Sequence, residues 1–227
     1  MEKTIHPIAK IRTDFPEKFG IPRQSGLVEN IGQIIFEPEY RRIESIKGLE
    51  QFSHIWLIWN FSENPTNEHF SPTVRPPRLG GNTRLGVFAT RSPFRPNGLG
   101  LSLVRIEKID TKCNHAPIIY VAGADILDNT DIYDIKPYLP YVESIPNAKE
   151  GFTNQSKTHI LNVQLDESLY PNIPKNDIIN ICQLLAHDPR PAYIDDNNRR
   201  YGMKYKHWNI IFYVQNNKIF VEDIQNT

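Results

Sequence analysis

Short apolar runs, with no long amphipathic stretch among them, fill the first two thirds of the chain. Positions 5–11, 32–36, 54–61, 85–90, 99–106 and 118–122 each read as a strand. The run 54–61 is apolar at successive positions, which predicts a strand buried on both faces, with Trp56 and Trp59 in the core. His54, at its start, reads as a hydrogen-bonded structural histidine. A helix is predicted over 40–52, where Ile43, Ile46 and Leu49 recur at helical spacing. Many short strands separated by Pro- and Gly-bearing turns indicate a barrel or a sandwich.

The pattern changes further on. Residues 142–158 are polar without apolar periodicity and read as a linker or exposed excursion. Beyond them, 160–165 alternates as a strand. Ile178, Ile181, Cys182 and Leu185 then share one face of a helix over 175–186, which ends before Pro189. Two further apolar runs flank Gln215-Asn216-Asn217, a hairpin signal because Asn tolerates the positive φ of such turns. The expected class is therefore mainly β, with an N-terminal unit over 1–145 and a small α+β C-terminal domain over 146–227.

Composition narrows the class. At 227 residues, 39% hydrophobic and with eleven Phe, ten Tyr and three Trp, the chain has the means to bury a core, which excludes wholesale disorder. Lys+Arg and Asp+Glu are both 26, yet residues 69–106 contain no acid while Arg75, Arg78, Arg84, Arg91, Arg95 and Arg105 all fall inside. A neutral chain with one basic segment points to a local anion site. Cys113 and Cys182 form no Cys-x-x-Cys pair, which suits a reducing compartment and argues against a cysteine zinc site. The N-terminus lacks the apolar core of a secretory signal. The longest apolar run, 55–61, is too short to cross a bilayer, so a soluble cytoplasmic protein without membrane or metal is expected.

Phosphate-loop, dinucleotide-fingerprint, zinc-protease and nucleophile-elbow motifs are all missing. What remains is a set of Pro- and Gly-braced polar segments. Pro22-Arg23-Gln24-Ser25-Gly26 is the first. The second runs from Arg75-Pro-Pro-Arg78-Leu-Gly-Gly81 through Gly86-Val-Phe-Ala-Thr-Arg91-Ser-Pro-Phe-Arg95-Pro-Asn97 to Ser102. Its arginines cannot share one helix face and so project from loops, where guanidinium forks read phosphate or carboxylate; Phe88 and Phe94 offer flat faces for stacking. The alternative is that these arginines pair with Asp125, Asp128, Asp131 and Asp134 to hold loops together. Asp125-Ile-Leu-Asp128-Asn-Thr130 and Asp134-Ile-Lys136-Pro-Tyr138-Leu-Pro-Tyr141 read equally as a ligand grip or as turns and core phenols. Asp188-Pro-Arg190-Pro-Ala-Tyr193 reads as a helix stop or a ligand contact.

Taken in order, the five motifs at 75–81, 86–97, 125–130, 134–141 and 188–193 resemble the TrmO family (also TsaA-like or YaeB-like), S-adenosylmethionine-dependent tRNA methyltransferases built on a small β-barrel. The resemblance spans nearly the whole chain. It implies a homodimer that methylates the exocyclic amine nitrogen of threonylcarbamoyladenosine at position 37, in the anticodon loop of threonine tRNA. The C-terminal domain would help engage the tRNA. By position, the resemblance implies donor binding by Gln24, Ser25, Gly26, Phe61, Ser62, Arg91, Leu101, Asp125, Ile126, Leu127 and Asp128. Arg95, Lys136, Arg190 and Tyr193 are the expected substrate contacts, with Arg199 and Arg200 as further phosphate contacts. Asp134, Tyr138 and Tyr141 are the candidates for a catalytic base. The chain departs from the family pattern at Gly98 and Asp131, where the family carries prolines. Two other readings are a non-catalytic RNA-binding or donor-sensing module and a methyltransferase acting on another acceptor.

Overall fold

The computed structural model describes residues 4–64, 70–76, 79, 82–156, 160–190, 196 and 199–227. In chain order the strands are β1 (Ala9–Arg12), β2 (Ile31–Phe36), β3 (His54–Asn60), β4 (Thr73–Val74), β5 (Leu85–Gly86), β6 (Leu99–Asp110), β7 (Ile118–Ala122) and β8 (Thr130–Pro137). Helix α1 (Pro140–Glu143) follows, then β9 (Asn162–Gln164), helix α2 (Lys175–Ala186), β10 (Tyr201–Tyr205), β11 (Trp208–Gln215) and β12 (Lys218–Asn226). Six strands close an antiparallel barrel in the order β1-β2-β7-β6-β3-β8, and β4 and β5 form a separate two-stranded ribbon. A second sheet, β10-β11-β12-β9, carries α2 on one face.

Barrel closure decides which face of each strand is buried. Ile55, Leu57 and Trp59 of β3 point into the interior with Ile11, Ile34, Val104, Ile119 and Ile132, while Trp56 and Ile58 are only half-buried. The expectation of a strand buried on both sides is thus corrected, because the outer face of a closed barrel has no layer to cover it. Trp56 leaves the core, and its indole N–H donates to the Glu143 carboxylate at 3.1 and 3.2 Å.

Other elements differ from the sequence reading for local reasons. The helix expected over 40–52 is two 3-10 turns, Ile43–Ile46 and Leu49–Gln51, separated by Gly48 at φ 92°. The strand expected over 85–90 stops at Gly86, where the 3-10 turn Val87–Ala89 takes over. Strand β8, not foreseen, carries the second half of the Asp-rich segment and closes the barrel. Between Ile58 and Trp59 the β3–β8 register slips, so Tyr133 is an extra residue and both Ile132 and Ile135 pack on the barrel core. The C-terminal helix and the β11–β12 hairpin are as expected, with Asn216 and Asn217 at φ 50° and 61°.

The second core is not contiguous in sequence. Ile178, Ile181 and Leu185 of α2 pack with Met203, Tyr205, Phe212 and Ile219 of the sheet, and Phe15 and Val28, from the segment between β1 and β2, join the same cluster. Gly20 passes so close that a Cβ there would lie 2.5 Å from the Met203 Cγ. That segment therefore packs on the second core although it connects two barrel strands, and it carries the Gln24 loop.

Candidate active site

Three connections meet near the start of β6: the loop holding Gln24–Gly26, the turn after β5, and the segment from Gly123 to Asp128. Their backbones are stitched together. Gly26 N–H donates to the Gly123 carbonyl at 2.9 Å, and Gly123 N–H donates to the Asn30 carbonyl at 3.0 Å. Both glycines have positive φ, and a Cβ on Gly123 would lie 3.0 Å from the Gly26 nitrogen. Ser25 Oγ accepts the Leu103 N–H at 3.2 Å, which ties the loop to β6. Beneath it, fully buried Asn30 donates to the Ala124 carbonyl, while its own Oδ1 has no hydrogen-bond partner among the described residues.

A polar chain runs from the barrel interior into this junction. The Trp59 indole N–H donates to Ser102 Oγ at 2.9 Å, and Ser102 in turn donates to Asp125 Oδ1 at 2.5 Å. Gly100 makes room for it, since a Cβ there would sit 2.3 Å from the Trp59 ring. Phe61 packs edge-on against the same indole at 4.4 Å between centroids. Burial holds the Asp125 carboxyl above the usual carboxylate range; Ser102, its own N–H, the Arg91 charge and the Ser25 N–H oppose that shift without reversing it.

Arg91 is exposed and donates to Gln24 Oε1, and the Gln24 amide donates to the Arg23 carbonyl. Gln24, Ser25, Gly26, Arg91 and Asp125 are therefore brought together, with Phe61 alongside. Leu101 lies on β6 and is 54% exposed; Ser62 is exposed one residue beyond Phe61. The remaining donor candidates have other surroundings. Ile126 is fully buried in the barrel core, and the Leu127 carbonyl accepts from Thr130 Oγ1 at 2.8 Å. Asp128 accepts from Arg12 Nε and from the Thr13 N–H, both at 2.9 Å, and so pins β1 to the start of β8.

None of the base candidates joins the hydrogen-bonded Trp59–Ser102–Asp125 chain, although Asp134 stands opposite Ile58, next to Trp59. Asp134 pairs with Lys136 at 2.9 Å, Tyr138 packs edge-on against His54 and Trp56, and Tyr141 on α1 is 83% exposed. Tyr138 is tied to the His54 end of β3, whereas the Asp125 chain starts from Trp59, about 16 Å away at the ordinary strand rise.

The choice between arginines as ligand readers and as partners of the four aspartates is also decided in part. Asp128, Asp131 and Asp134 pair with Arg12, Lys10 and Lys136, and Asp125 feels Arg91. Arg95 Nη1 donates to the Thr90 and Ser92 carbonyls at 3.0 and 3.2 Å and so braces its own loop. Arg190 forks onto Asp188 at 2.8 and 3.1 Å. Arg200 forks onto Glu222, and Arg199 lies over the Tyr201 ring. Arg78 and Tyr193 lie outside the described residues. Ser102, Trp59 and Asn30 were not foreseen as site residues, because nothing in their local sequence distinguishes them from strand or turn residues.

A sulfonium donor carrying an amino-acid tail and an adenine needs an anionic acceptor, a cation and apolar flanks. Asp125, Arg91, Phe61 and Leu101 are of those chemical types, and a Cβ built on Gly26 meets nothing within 4 Å. The residues present fit such a group.

Comparison with known proteins covers both halves of the chain. Residues 10–144 match the tRNA-methyltransferase O N-terminal domain and residues 158–227 the TrmO C-terminal domain. A tRNA (adenine(37)-N6)-methyltransferase of Escherichia coli is 40% identical over 198 residues, 82% of this chain and 81% of that protein. A putative S-adenosylmethionine-dependent methyltransferase, RcsF, of Pseudomonas aeruginosa is 39% identical over 215 residues, 90% of this chain and 89% of that protein. The crystal structure of TrmO from Pseudomonas aeruginosa superposes with a TM-score of 0.79 at 31% identity, covering 100% of both chains.

Proposed function

The chain belongs to the TrmO family, and from that membership we propose that it transfers a methyl group from S-adenosylmethionine to the exocyclic amine nitrogen of adenine 37 in tRNA. The observation that carries the reading is the junction of Gln24, Arg91 and the Trp59–Ser102–Asp125 chain at one end of the barrel. We extend the proposal to threonylcarbamoyladenosine in threonine tRNA as acceptor and to a cytoplasmic homodimer as the working form. In this reading residues 1–145 bind the donor and 146–227 engage the tRNA.

When bound, the donor supplies an electrophilic methyl carbon on sulfur. Asp125 holds a cationic part of the donor, Arg91 its carboxylate, and Phe61 with Leu101 the apolar face. The Ser102 hydroxyl fixes the Asp125 rotamer, and Trp59 fixes the hydroxyl. Holding donor and acceptor in line is worth up to about 7–11 kcal/mol, so positioning supplies most of the acceleration. The acceptor nitrogen is conjugated with a carbonyl and gives up its proton as the new bond forms. Asp134, Tyr138 and Tyr141 are the proposed takers of that proton; Asp134 stands opposite Ile58, beside Trp59, whereas Tyr138, at the His54 end of β3, would be delivered by a second copy.

The test is incubation of the full chain with methyl-labelled donor and total tRNA, prepared with and without the threonylcarbamoyl modification. Label in modified threonine tRNA is the expected result. Label only in unmodified tRNA would overturn the finer acceptor. The absence of label from every tRNA, together with donor binding by calorimetry, would turn the reading into a donor-sensing module.

A further inference from the structure

Two large aromatic rings stand in water in the acid-free segment, outside the junction that holds Asp125. Phe88 is 73% exposed and Phe70 is 56% exposed, and the rings lie 6.2 Å apart at an interplanar angle of 25°. Exposed single apolar residues are ordinary, but a mutually stacked pair held clear of any core is a preformed flat surface.

The Phe88 turn is anchored. Phe88 is the middle residue of the 3-10 turn Val87–Ala89, which is anchored by buried Val87 and closed by the Thr90 hydroxyl donating to the Val87 carbonyl at 2.8 Å. The Val87 N–H donates to the Pro72 carbonyl at 2.9 Å, which joins this turn to the strand that follows Phe70. The ring therefore projects from a fixed backbone. Three residues later the same turn delivers Arg91 to Gln24, so the aromatic surface and the proposed donor site share one support.

A cation reaches toward it. Arg75 and Arg84 flank the far, Val74–Leu85 end of the ribbon, both exposed, and Arg84 Nη1 reaches back to Thr73 Oγ1, at the end nearer the rings, at 3.2 Å. No acid interrupts residues 69–106. A flat apolar face on an acid-free segment, with the Arg84 guanidinium along the same ribbon, is complementary to a polyanion with exposed π-faces, which is single-stranded RNA; every base can stack there, and an arginine can meet a phosphate.

We propose that Phe88, backed by Phe70, is a stacking platform for an unstacked nucleobase of the RNA loop that carries the methyl acceptor, next to the acceptor itself. The inference rests on the tRNA reading above and deepens it by assigning the loop a second point of contact. Phe88 is a positioning residue here, since it orders the acceptor strand and touches no reacting atom.

The experiment uses the full chain and an anticodon stem-loop RNA with 2-aminopurine next to position 37. Wild type is expected to quench the 2-aminopurine emission on binding. Phe88→Ala is expected to abolish the quenching, to raise the Kd for the stem-loop at least about fivefold, and to raise KM for tRNA more than it lowers kcat. Its affinity for S-adenosylmethionine by calorimetry is expected to stay unchanged, and Phe88→Trp is expected to restore RNA binding. If wild type methylates tRNA while Phe88→Ala binds the stem-loop equally well, the platform is refuted and the functional reading stands. If Phe88→Ala instead converts a dimer to a monomer in sedimentation, the face joins two copies and the proposal is overturned. If wild type neither binds nor methylates any tRNA, the functional reading itself fails.

Discussion

The Ser102 hydroxyl donates to the Asp125 carboxylate at 2.5 Å, so the last link of a chain that begins on the Trp59 indole in the barrel interior is a partly buried acid. Burial is the largest influence on Asp125 and raises its pKa. The folded protein therefore holds that proton more tightly than the unfolded chain does. Stability contributed by the group falls as pH rises from the ordinary carboxylate value through the raised one. Asp125→Asn is expected to increase Tm at neutral pH, with the two proteins converging once the pH is below the ordinary Asp value. The same change is expected to weaken donor binding about ten- to a hundredfold, because a charged acceptor contributes ~1.5–3 kcal/mol. Calorimetric melting at two pH values and donor titration check both; a variant less stable at neutral pH contradicts the account.

Gly100→Ala places a methyl group 2.3 Å from the Trp59 ring on a strand that cannot retreat without breaking its pairing to β3. Overpacking of this kind costs ~1–3 kcal/mol. The indole must also move off Ser102, so a change in near-ultraviolet circular dichroism should accompany a lower urea midpoint. An unchanged spectrum would show that the indole is not wedged as described.

Arg23 ties the Gln24 loop to the C-terminal half. Its Nη2 donates to the Asp188 carbonyl at 2.8 Å and the Arg190 carbonyl at 3.1 Å, and its own carbonyl accepts from Gln24. Arg23→Ala is expected to speed amide exchange around 24–26 and 188–190, leaving the barrel strands protected. Hydrogen–deuterium exchange read by mass spectrometry distinguishes this local release from global destabilisation.

Tyr205 lies wholly inside the second core, donates to Asp14 Oδ2 at 3.0 Å and accepts from Asn180 Nδ2 at 2.9 Å. Burial, reinforced by Asp14, drives its phenol far above the ordinary tyrosine range. Tyr205→Phe keeps the packing but strips a carboxylate and an amide of a partner. A loss of ~1–3 kcal/mol is expected, seen as a lower urea midpoint at unchanged m-value.

Much of this was legible one residue at a time. The hairpin at Asn216-Asn217 and the α2 stripe of Ile178, Ile181 and Leu185 follow from local conformational preference and period. The Gln24 loop, Arg91 and Asp125 stood out because a run of Pro, Gly and charge has no ordinary use in a strand. Strand β8 did not show itself, since Ile132 and Ile135 are three apart and break the alternation of a strand. Only the extra residue Tyr133 lets both face inward.

The amino-acid order alone therefore determined the short strands, the turns between them and the residue types available for recognising an anion and a flat ring, because these depend on neighbours within a few positions. Tertiary structure decided the rest. Closing the sheet selected one face of β3 for the interior, brought Ser102 of β6 to Asp125 in the connection after β7, and drew Phe15 and Val28 into a core built mainly by the far end of the chain. Those pairings join positions far apart in sequence, and a local pattern carries no record of which distant residue will fill the space beside it.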